Sequence, residues 1–345
     1  LRRQRQMCIR DRPIQPQFVN FKRDLTFTKT KKGLPVVYKQ DAESGLSTLA
    51  LHWEMGECAD NRYSVATDYL DYVGTQSKTL AQIKKELYRL GCFTSFSTGP
   101  TYINLVISGL DETLPEALAV VEDIMHNAKA DAKAYSDLTS LYEKDRADAK
   151  KNQRNNFAAL RYMGQYGEYN PQTNDMSIDE MRKTAPQTLL DLIKALPTYK
   201  HEILYCGPRS LKDLVKLFDK VHQTPKTLKE PLKNKEYTEQ TTPKNEVWIA
   251  PYEAKNIYMA MYHNDNKAWN ADEVPVSALF NEYFGGGMNT VVFQELREAR
   301  GLAYSASAFF TYQPHKGHPV YGVTNIISQN DKMADCIRVF NEILD

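Results

Sequence analysis

The most constraining feature of the sequence is the stretch from Tyr283 to Tyr304, which joins a glycine turn to a helical pattern and then to a strand pattern. The consecutive glycines at positions 285, 286 and 287 predict a flexible turn, because glycine tolerates positive φ. The apolar residues that follow recur at helical spacing and predict a helix with one inward face. These glycines and apolar residues are Gly285, Gly286, Gly287, Met288, Val292, Leu296 and Ala299.

The end of this predicted helix is marked by Gly301, where a left-handed residue is favoured after a helix C-terminus. Residues 302–310 are apolar and aromatic and predict a strand. Arg297 therefore falls in the last helical turn and Tyr304 at the start of the strand. We expect the two side chains to converge on one side of the glycine turn. The ordinary alternative is a surface arginine favoured by the helix dipole, beside an unremarkable strand tyrosine.

The composition limits the classes of function. A chain of 345 residues has room for two domains of common size. Its net charge of +1 gives no basic excess for nucleic-acid binding. No apolar run approaches the ~18 residues that a membrane-spanning helix needs, so we expect neither a nucleic-acid partner nor a membrane span.

The chain divides into four parts by composition and pattern. Residues 1–12 are basic, without helical or strand periodicity, and resemble an extraneous segment more than a basic arm for nucleic acid. Residues 13–221 predict a first α+β domain and residues 246–345 a second one, truncated within its last helix. The proline- and lysine-rich residues 222–245 predict an extended polar linker. We expect an α+β fold of two related domains, each a sheet with helices packed on it, and a fragment at both ends.

Several elements follow from local patterns. Residues 112–127 predict an amphipathic helix, and residues 130–162 a long charged helical stretch. Its mixed charges over residues 143–151 are typical of a solvated helix face with i, i+4 pairs rather than of a binding site. In the second domain, residues 247–250 and 256–262 predict strands.

The glycine turn, the helix ending in arginine and the sequence Gly-Leu-Ala-Tyr after it resemble the C-terminal domains of the pitrilysin/insulinase zinc metallopeptidases. The resemblance covers roughly residues 13–345. It implies the LuxS-like, pitrilysin-type fold, with two related domains per half and two halves closing like a clamshell. It also implies that Arg297 and Tyr304 reach toward a catalytic half and hold the substrate.

The catalytic half of this family carries His-x-x-Glu-His on a helix, followed by Gly-Thr, and binds zinc. Aligning Gly74 and Thr75 with that Gly-Thr places Val65 and Tyr69 at the histidine positions and Asp68 at the general base. Valine cannot ligate and tyrosine ligates zinc poorly. The resemblance therefore implies a degenerate half with no metal or other cofactor in this chain and zinc in the catalytic half.

The remaining histidines offer no substitute metal site. His315 and His318 form an i, i+3 pair in a predicted loop, for which a solvated loop is the more ordinary interpretation than a metal site.

The function implied by the resemblance is the substrate-holding, non-catalytic half of a zinc endopeptidase, inactive alone. Its implied partners are a peptide substrate and a catalytic half, either fused upstream or a separate subunit; the residues 13–16 have a linker-like composition that favours fusion. The alternative is a structural scaffold subunit of the same fold. The compartment is not indicated, although bacterial members of the family imply the periplasm or cell envelope.

Overall fold

The computed structural model describes residues 18–311 and 317–344. The strands of this range form two sheets. They are β1 (Thr26–Lys29), β2 (Pro35–Gln40), β3 (Leu46–Trp53), β4 (Cys92–Thr98), β5 (Ile103–Leu110), β6 (Glu202–Gly207), β7 (Asn256–Ala268), β8 (Ala303–Phe310) and β9 (Pro319–Gln329).

The helices of the same range lie before, between and after these strands, with five of them in succession between β5 and β6. They are α1 (Phe21–Asp24), α2 (Arg62–Tyr69), α3 (Leu80–Arg89), α4 (Leu114–Asn127), α5 (Ala132–Ala149), α6 (Gln153–Tyr166), α7 (Ile178–Lys183), α8 (Pro186–Ala195), α9 (Leu211–Val221), α10 (Val274–Phe284), α11 (Val291–Phe293), continued by a π-helical turn at Gln294–Ala299, and α12 (Met333–Leu344). The predicted α+β class is confirmed. None of the helices in the described residues has the length and apolar character to cross a membrane.

The first sheet has the strand order β1-β2-β6-β3-β5-β4, and only the β2–β6 pair is parallel. Strand β3 lies between β6 and β5, and its alternate residues Leu49, Leu51 and Trp53 are buried. This period of two is what a sheet with one covered face requires. The Trp53 indole N–H donates to the Leu196 carbonyl at 2.8 Å, so the polar atom of this buried side chain is satisfied.

Helix α4 shows how the local pattern decides the packing. The amphipathic pattern of residues 112–127 predicts that Leu114, Leu118, Val121 and Met125 face inward, and all four are buried in the helix, which begins at Leu114. These residues lie three or four apart and form one stripe along the helix. Together with α2 and α8, this helix covers the first sheet and completes the core of the first domain.

The charged stretch predicted as one helical run is divided into α5 and α6. The break lies at Asn152, whose side chain accepts hydrogen bonds from the backbone N–H groups of residues 154 and 155 and so begins a new helix. Helix α6 then packs against β7, with the rings of Phe157 and Tyr258 5.8 Å apart. At its end, Gln165 donates to the Tyr321 hydroxyl at 2.7 Å. Strands β7 and β9 belong to one sheet, so this helix packs on the second sheet although its residues precede that sheet in the chain.

Residues 222–245, the predicted polar linker, form no helix or strand apart from a bridge between Lys229 and Tyr199. The segment is nevertheless held along the first domain. The Asn234 side chain donates to the carbonyls of Glu54 and Thr101, both at 3.1 Å. The Lys235 N–H also donates to the Cys58 carbonyl at 2.9 Å, so both side-chain and backbone hydrogen bonds hold the extended segment.

The predicted strand at residues 247–250 is wrong. The segment is not part of any sheet within residues 18–311 and 317–344, and Val247 and Ile249 are 85% and 81% exposed. Strand propensity describes how well a residue fits a pleated, half-buried surface. No strand in the described residues pairs with this segment, so its residues have no such surface to pack on.

The second sheet has the antiparallel order β7-β9-β8. Strand β7 extends beyond the predicted residues 256–262, with an irregularity between His263 and Lys267. Helices α11 and α12 pack on this sheet around a compact apolar core. Its fully buried members are Val292, Leu296, Ile326, Cys336 and Val339.

Candidate functional site

The helix before Arg297 differs from its prediction at both ends. Val292 and Leu296 are buried as expected, but Met288 is 71% exposed because the helix begins only at Val291. Ala299 is also exposed. Residues 294–299 form a π-helical turn, in which i→i+5 hydrogen bonds widen the helix. The 3.6-residue period therefore does not continue to Ala299.

The glycines before this helix are required for a different reason from the one predicted. Gly285, Gly286 and Gly287 do not have positive φ, and Gly285 has φ −152°. A Cβ at Gly285 would lie 2.1 Å from the carbonyl oxygen of Ala308 in β8. A Cβ at Gly286 would lie 2.8 Å from the oxygen of Asn281. Glycine thus permits close backbone approach at the first two positions.

The end of the helix follows the prediction. Gly301 has φ +56° and its N–H donates to the Arg297 carbonyl at 3.0 Å. A left-handed glycine at this point satisfies carbonyls that the helix leaves free. The chain then turns directly into β8, so that Tyr304 is the second residue of the strand.

The structure brings Arg297 and Tyr304 together. The guanidinium carbon of Arg297 lies 5.7 Å from the centroid of the Tyr304 ring. Tyr304 falls at a register irregularity between Ala303 and Ser305. Such irregularities re-aim side chains and are common beside functional sites. The expected convergence is thus observed, while the role of the pair remains a prediction.

Both polar groups of this pair are open to binding. Tyr304 is 71% exposed, and the Arg297 side chain is 43% exposed. Among residues 18–311 and 317–344, neither side chain makes a hydrogen bond, and the nearest carboxylate to Arg297 is that of Glu298, at 3.7 Å. Exposed contacts of that kind contribute little to folding. The phenol and the guanidinium are therefore free to donate to a ligand.

Sequence reasoning missed Phe293. Its ring centroid lies 4.9 Å from the guanidinium carbon of Arg297, closer than that of Tyr304. The available signal was the spacing, because residues four apart on a helix are neighbours and an arginine there can stack on an aromatic ring.

The positions predicted to correspond to the metal ligands are part of the core. Val65 and Tyr69 on α2 are 2% and 0% exposed. The Tyr69 hydroxyl donates to the Asp131 carbonyl at 2.7 Å and accepts from the Asp131 N–H at 2.9 Å. Burial raises the pKa of the Tyr69 phenol, so the side chain stays neutral. Asp68 is exposed and accepts from the Tyr142 hydroxyl at 2.5 Å.

No group of three metal-ligating side chains has suitable geometry within the part of the chain that the structure describes. A buried cluster of Glu122, His222 and His201 comes nearest in composition, but its atoms bond to one another. His222 Nδ1 is 2.5 Å from Glu122, and the two Nε2 atoms are 2.9 Å apart. His201 Nδ1 is 2.8 Å from the Tyr199 carbonyl. Since carboxylate and carbonyl only accept, one of the two rings carries both protons.

This cluster perturbs the acidity of its members. Burial alone would raise the pKa of Glu122, but the contacts with His126 and His222 outweigh it and hold the pKa at about 2. Burial, with the charge of His222, lowers the pKa of His201 to about 4. The ion pair fastens the end of α9 to α4.

Of the predicted histidine pair, His315 lies outside the described residues. His318 is placed between two carboxylates, with Nε2 3.2 Å from Glu236 and Nδ1 3.2 Å from Glu239. Burial opposes the charged ring, but the hydrogen bonds to Glu239 and Glu236 outweigh it and raise the pKa of His318. The contact joins the segment after α9 to the start of β9.

Comparison with known proteins finds a match to a family model. Residues 202–345 match the model of the peptidase M16 inactive domain. No curated protein matches the sequence. Among solved structures, a peptidase M16 inactive domain from Pseudomonas fluorescens superposes with a TM-score of 0.76 at 17% identity, covering 93% of this chain and 78% of that one.

Two longer proteases share the same fold. The periplasmic protease PqqL from Escherichia coli gives a TM-score of 0.77 at 13% identity, over 94% of this chain and 36% of PqqL. A mutant of the ferredoxin protease FusC, in complex with Arabidopsis ferredoxin, gives 0.75 at 11% identity, over 97% of this chain and 38% of FusC. This chain thus spans little more than a third of either protease, and the predicted pitrilysin-type fold is confirmed. Residues 202–345 thus match the peptidase M16 inactive domain, and the described residues share the fold of M16 peptidase structures.

Proposed function

We propose that this chain is the substrate-holding half of an M16-type zinc metalloendopeptidase, binding an extended peptide through Arg297 and Tyr304. The observation that carries the proposal is their convergence. A guanidinium and a phenol from two rigid elements meet at the surface, 5.7 Å apart, and the described residues use neither for a hydrogen bond. A fold has no need of such a pair, whereas a ligand site requires one.

The two side chains have complementary roles in this proposal. Arg297 presents several N–H donors in a plane and would bind a carbonyl oxygen of the peptide in the ground state. Tyr304 would donate its O–H to the oxyanion that develops when that carbonyl is attacked. A donor aimed at developing charge is typically worth ~3 kcal/mol of transition-state stabilisation.

The metal belongs to the partner in this proposal. Zinc in a catalytic half would supply the activated water, while Val65 and Tyr69 keep this half free of metal because both are core residues. The ligand is a polypeptide read mainly through its backbone, as in other extended-peptide recognition. The complex of FusC with ferredoxin is consistent with a polypeptide ligand in this fold.

The test is to compare cleavage of an unfolded peptide by the catalytic half in the presence and in the absence of this half. If the two halves are fused in one chain, the substitutions are made in the full-length protein and its cleavage is compared with that of the wild type. We expect cleavage to rise when this half is present and the rise to disappear in the Arg297→Ala/Tyr304→Phe variant.

A matched control is available on α3. Arg89 lies in the last turn of that helix, as Arg297 does in its own, and its neighbour Tyr88 is 88% exposed. The variant Arg89→Ala/Tyr88→Phe should leave cleavage unchanged. If the catalytic half cleaves equally well alone, the substrate-holding function is wrong and the chain is a structural scaffold.

A further inference from the structure

Phe293 occupies a defined place beside the candidate site. It precedes Arg297 by four residues, lies at the end of α11 and is 8% exposed. Its ring centroid is 4.9 Å from the guanidinium carbon of Arg297, within the ~6 Å range of cation–π attraction. Because the ring is buried and the guanidinium is partly exposed, the aromatic residue is the fixed member of the contact.

A cation–π contact suits a residue that must bind a ligand. The ring attracts the face of the guanidinium, whereas the N–H groups point outward in its plane. Stacking therefore restrains the side chain without occupying its donors. The structure agrees, since the Arg297 side chain donates no hydrogen bond within residues 18–311 and 317–344 while lying near the Phe293 and Tyr304 rings.

The restraint matters because arginine is a flexible side chain. Ordering a rotamer-rich side chain on binding opposes association, and holding it in its bound conformation beforehand reduces that cost. The competing contact is the carboxylate of Glu298, 3.7 Å away and 53% exposed. An exposed pair of this kind is weak, so it does not by itself fix the guanidinium, and the buried ring supplies a second restraint.

We propose that Phe293 is a positioning residue, whose ring holds the Arg297 guanidinium so that its N–H donors face the peptide. The kinetic consequence rests on the proposed substrate-holding function; the contact itself does not. Phe293 touches neither substrate nor metal in this scheme and acts only through Arg297.

The contact is tested in the chain by itself, by NMR of the Arg297 Nε–Hε group. A proton near the face of an aromatic ring is shifted by the ring current. In Phe293→Leu we expect the resonance to move toward that of Arg89, an exposed arginine without such a ring contact in the described residues. Phe293→Tyr keeps the ring and should keep the shift. An unchanged resonance in Phe293→Leu would overturn the proposal.

A second variant protects the test against misfolding. Pentafluorophenylalanine at position 293 keeps the shape of the ring but removes the negative charge density of its face, on which cation–π attraction depends. We expect it to release Arg297 as Phe293→Leu does. A resonance that stays unchanged in a folded pentafluoro variant contradicts the proposal.

The consequence is tested in the assembled protease. Phe293→Leu should raise KM for peptide about two- to fivefold, the size expected for an exposed cation–π contact, with a smaller change in kcat. Phe293→Tyr should restore KM, and Phe293→Leu should have no further effect in an Arg297→Ala background. If Arg297→Ala raises KM and Phe293→Leu does not, the positioning role is wrong. If Arg297→Ala itself has no effect, the substrate-holding function fails, and the NMR result alone decides the contact.

Discussion

The two regions that the resemblance predicts to be functional differ in burial. On α2, Val65 and Tyr69 lie at the predicted metal-ligand positions and are buried, with the Tyr69 hydroxyl bonded to Asp131. At the end of the α11 helix, Arg297 and Tyr304 lie at the predicted substrate-binding positions and are exposed. The first region contributes to stability and the second contributes almost nothing to it.

This difference teaches how a binding function can be recognised in a half without catalysis. A position released from metal binding is free to become apolar and buried, because burial stabilises the fold. A polar pair kept at the surface, with its donors unused, gains nothing from folding. The proposed substrate-holding function would account for the defined geometry of such a pair, which packing does not require.

The largest expected effect separates the two regions by stability. Tyr69→Ala should lower the free energy of unfolding by about 4 kcal/mol, since it empties a buried site and leaves Asp131 without its partner. Tyr304→Ala should change it by about 0.5 kcal/mol or less, as for exposed positions. Urea unfolding of both variants measures the difference. Similar values for the two would remove the contrast.

The region of Arg297 and Tyr304, which matters little for stability, should have the larger effect on catalysis. In the assembled protease, Tyr304→Phe removes one hydroxyl and keeps the ring, and we expect kcat to fall ~10²-fold or more with a smaller change in KM. Arg297→Ala should raise KM as well, and the double variant should be less than additive if both donors act on one group. Normal kcat in a normally folded Tyr304→Phe variant would refute the oxyanion role.

The buried charge of the first domain predicts acid lability. The folded pKa of Glu122, about 2, lies below its ordinary value of 4.5, so its ion pair stabilises the fold above pH 4.5. This stabilisation, roughly 3 kcal/mol, is lost as the pH falls toward 2. Unfolding free energies measured from pH 7 to pH 2.5 should fall steeply in the wild type and less steeply in Glu122→Gln. The exposed Glu116→Gln on the same helix is the control; a profile for Glu122→Gln equal to it would contradict the assignment.

The smallest expected effect is at His318, at the edge of the second domain, where stability should depend on pH with the opposite sign. The pKa of His318 is raised above 6.5, so its contacts with Glu236 and Glu239 are complete below pH 6.5 and are lost as the pH rises through the folded pKa. The side chain is 25% exposed, and we expect less than about 1 kcal/mol. The difference in unfolding free energy between wild type and His318→Gln should shrink from pH 5.5 to pH 9. If this difference grew with pH, the contacts of His318 with Glu236 and Glu239 would not be the source of the stabilisation.

Local spacing was sufficient for part of the candidate site. The placement of Arg297 in a last helical turn and of Tyr304 at a strand start depends on a few consecutive residues and on Gly301, so their convergence was predictable. The exposure of Met288 and Ala299 was not, because the late helix start and the π-helical turn depart from α-helical periodicity. The contact with Phe293 was missed although its spacing was visible.

Other outcomes depended on distant parts of the chain. The break at Asn152 has a local cause in its capping side chain, yet the packing of α6 on the second sheet depends on β7, about a hundred residues later. The strand predicted at residues 247–250 failed because no strand in the described residues pairs with it. Propensity specifies which residues suit a strand, whereas pairing requires a neighbour.

The sequence by itself determined the α+β class and the motif that resembles M16 peptidases, and it predicted that no zinc binds at Val65, because valine cannot ligate a metal in any fold. Only the tertiary structure decided that Tyr69 is a core residue bonded to Asp131, and that Gly285 is needed for the approach of Ala308 rather than for positive φ. Each of these depends on the free energy of contact between residues far apart in the chain. Such contacts leave no periodic trace in the local sequence, so they become visible only when the elements are packed together.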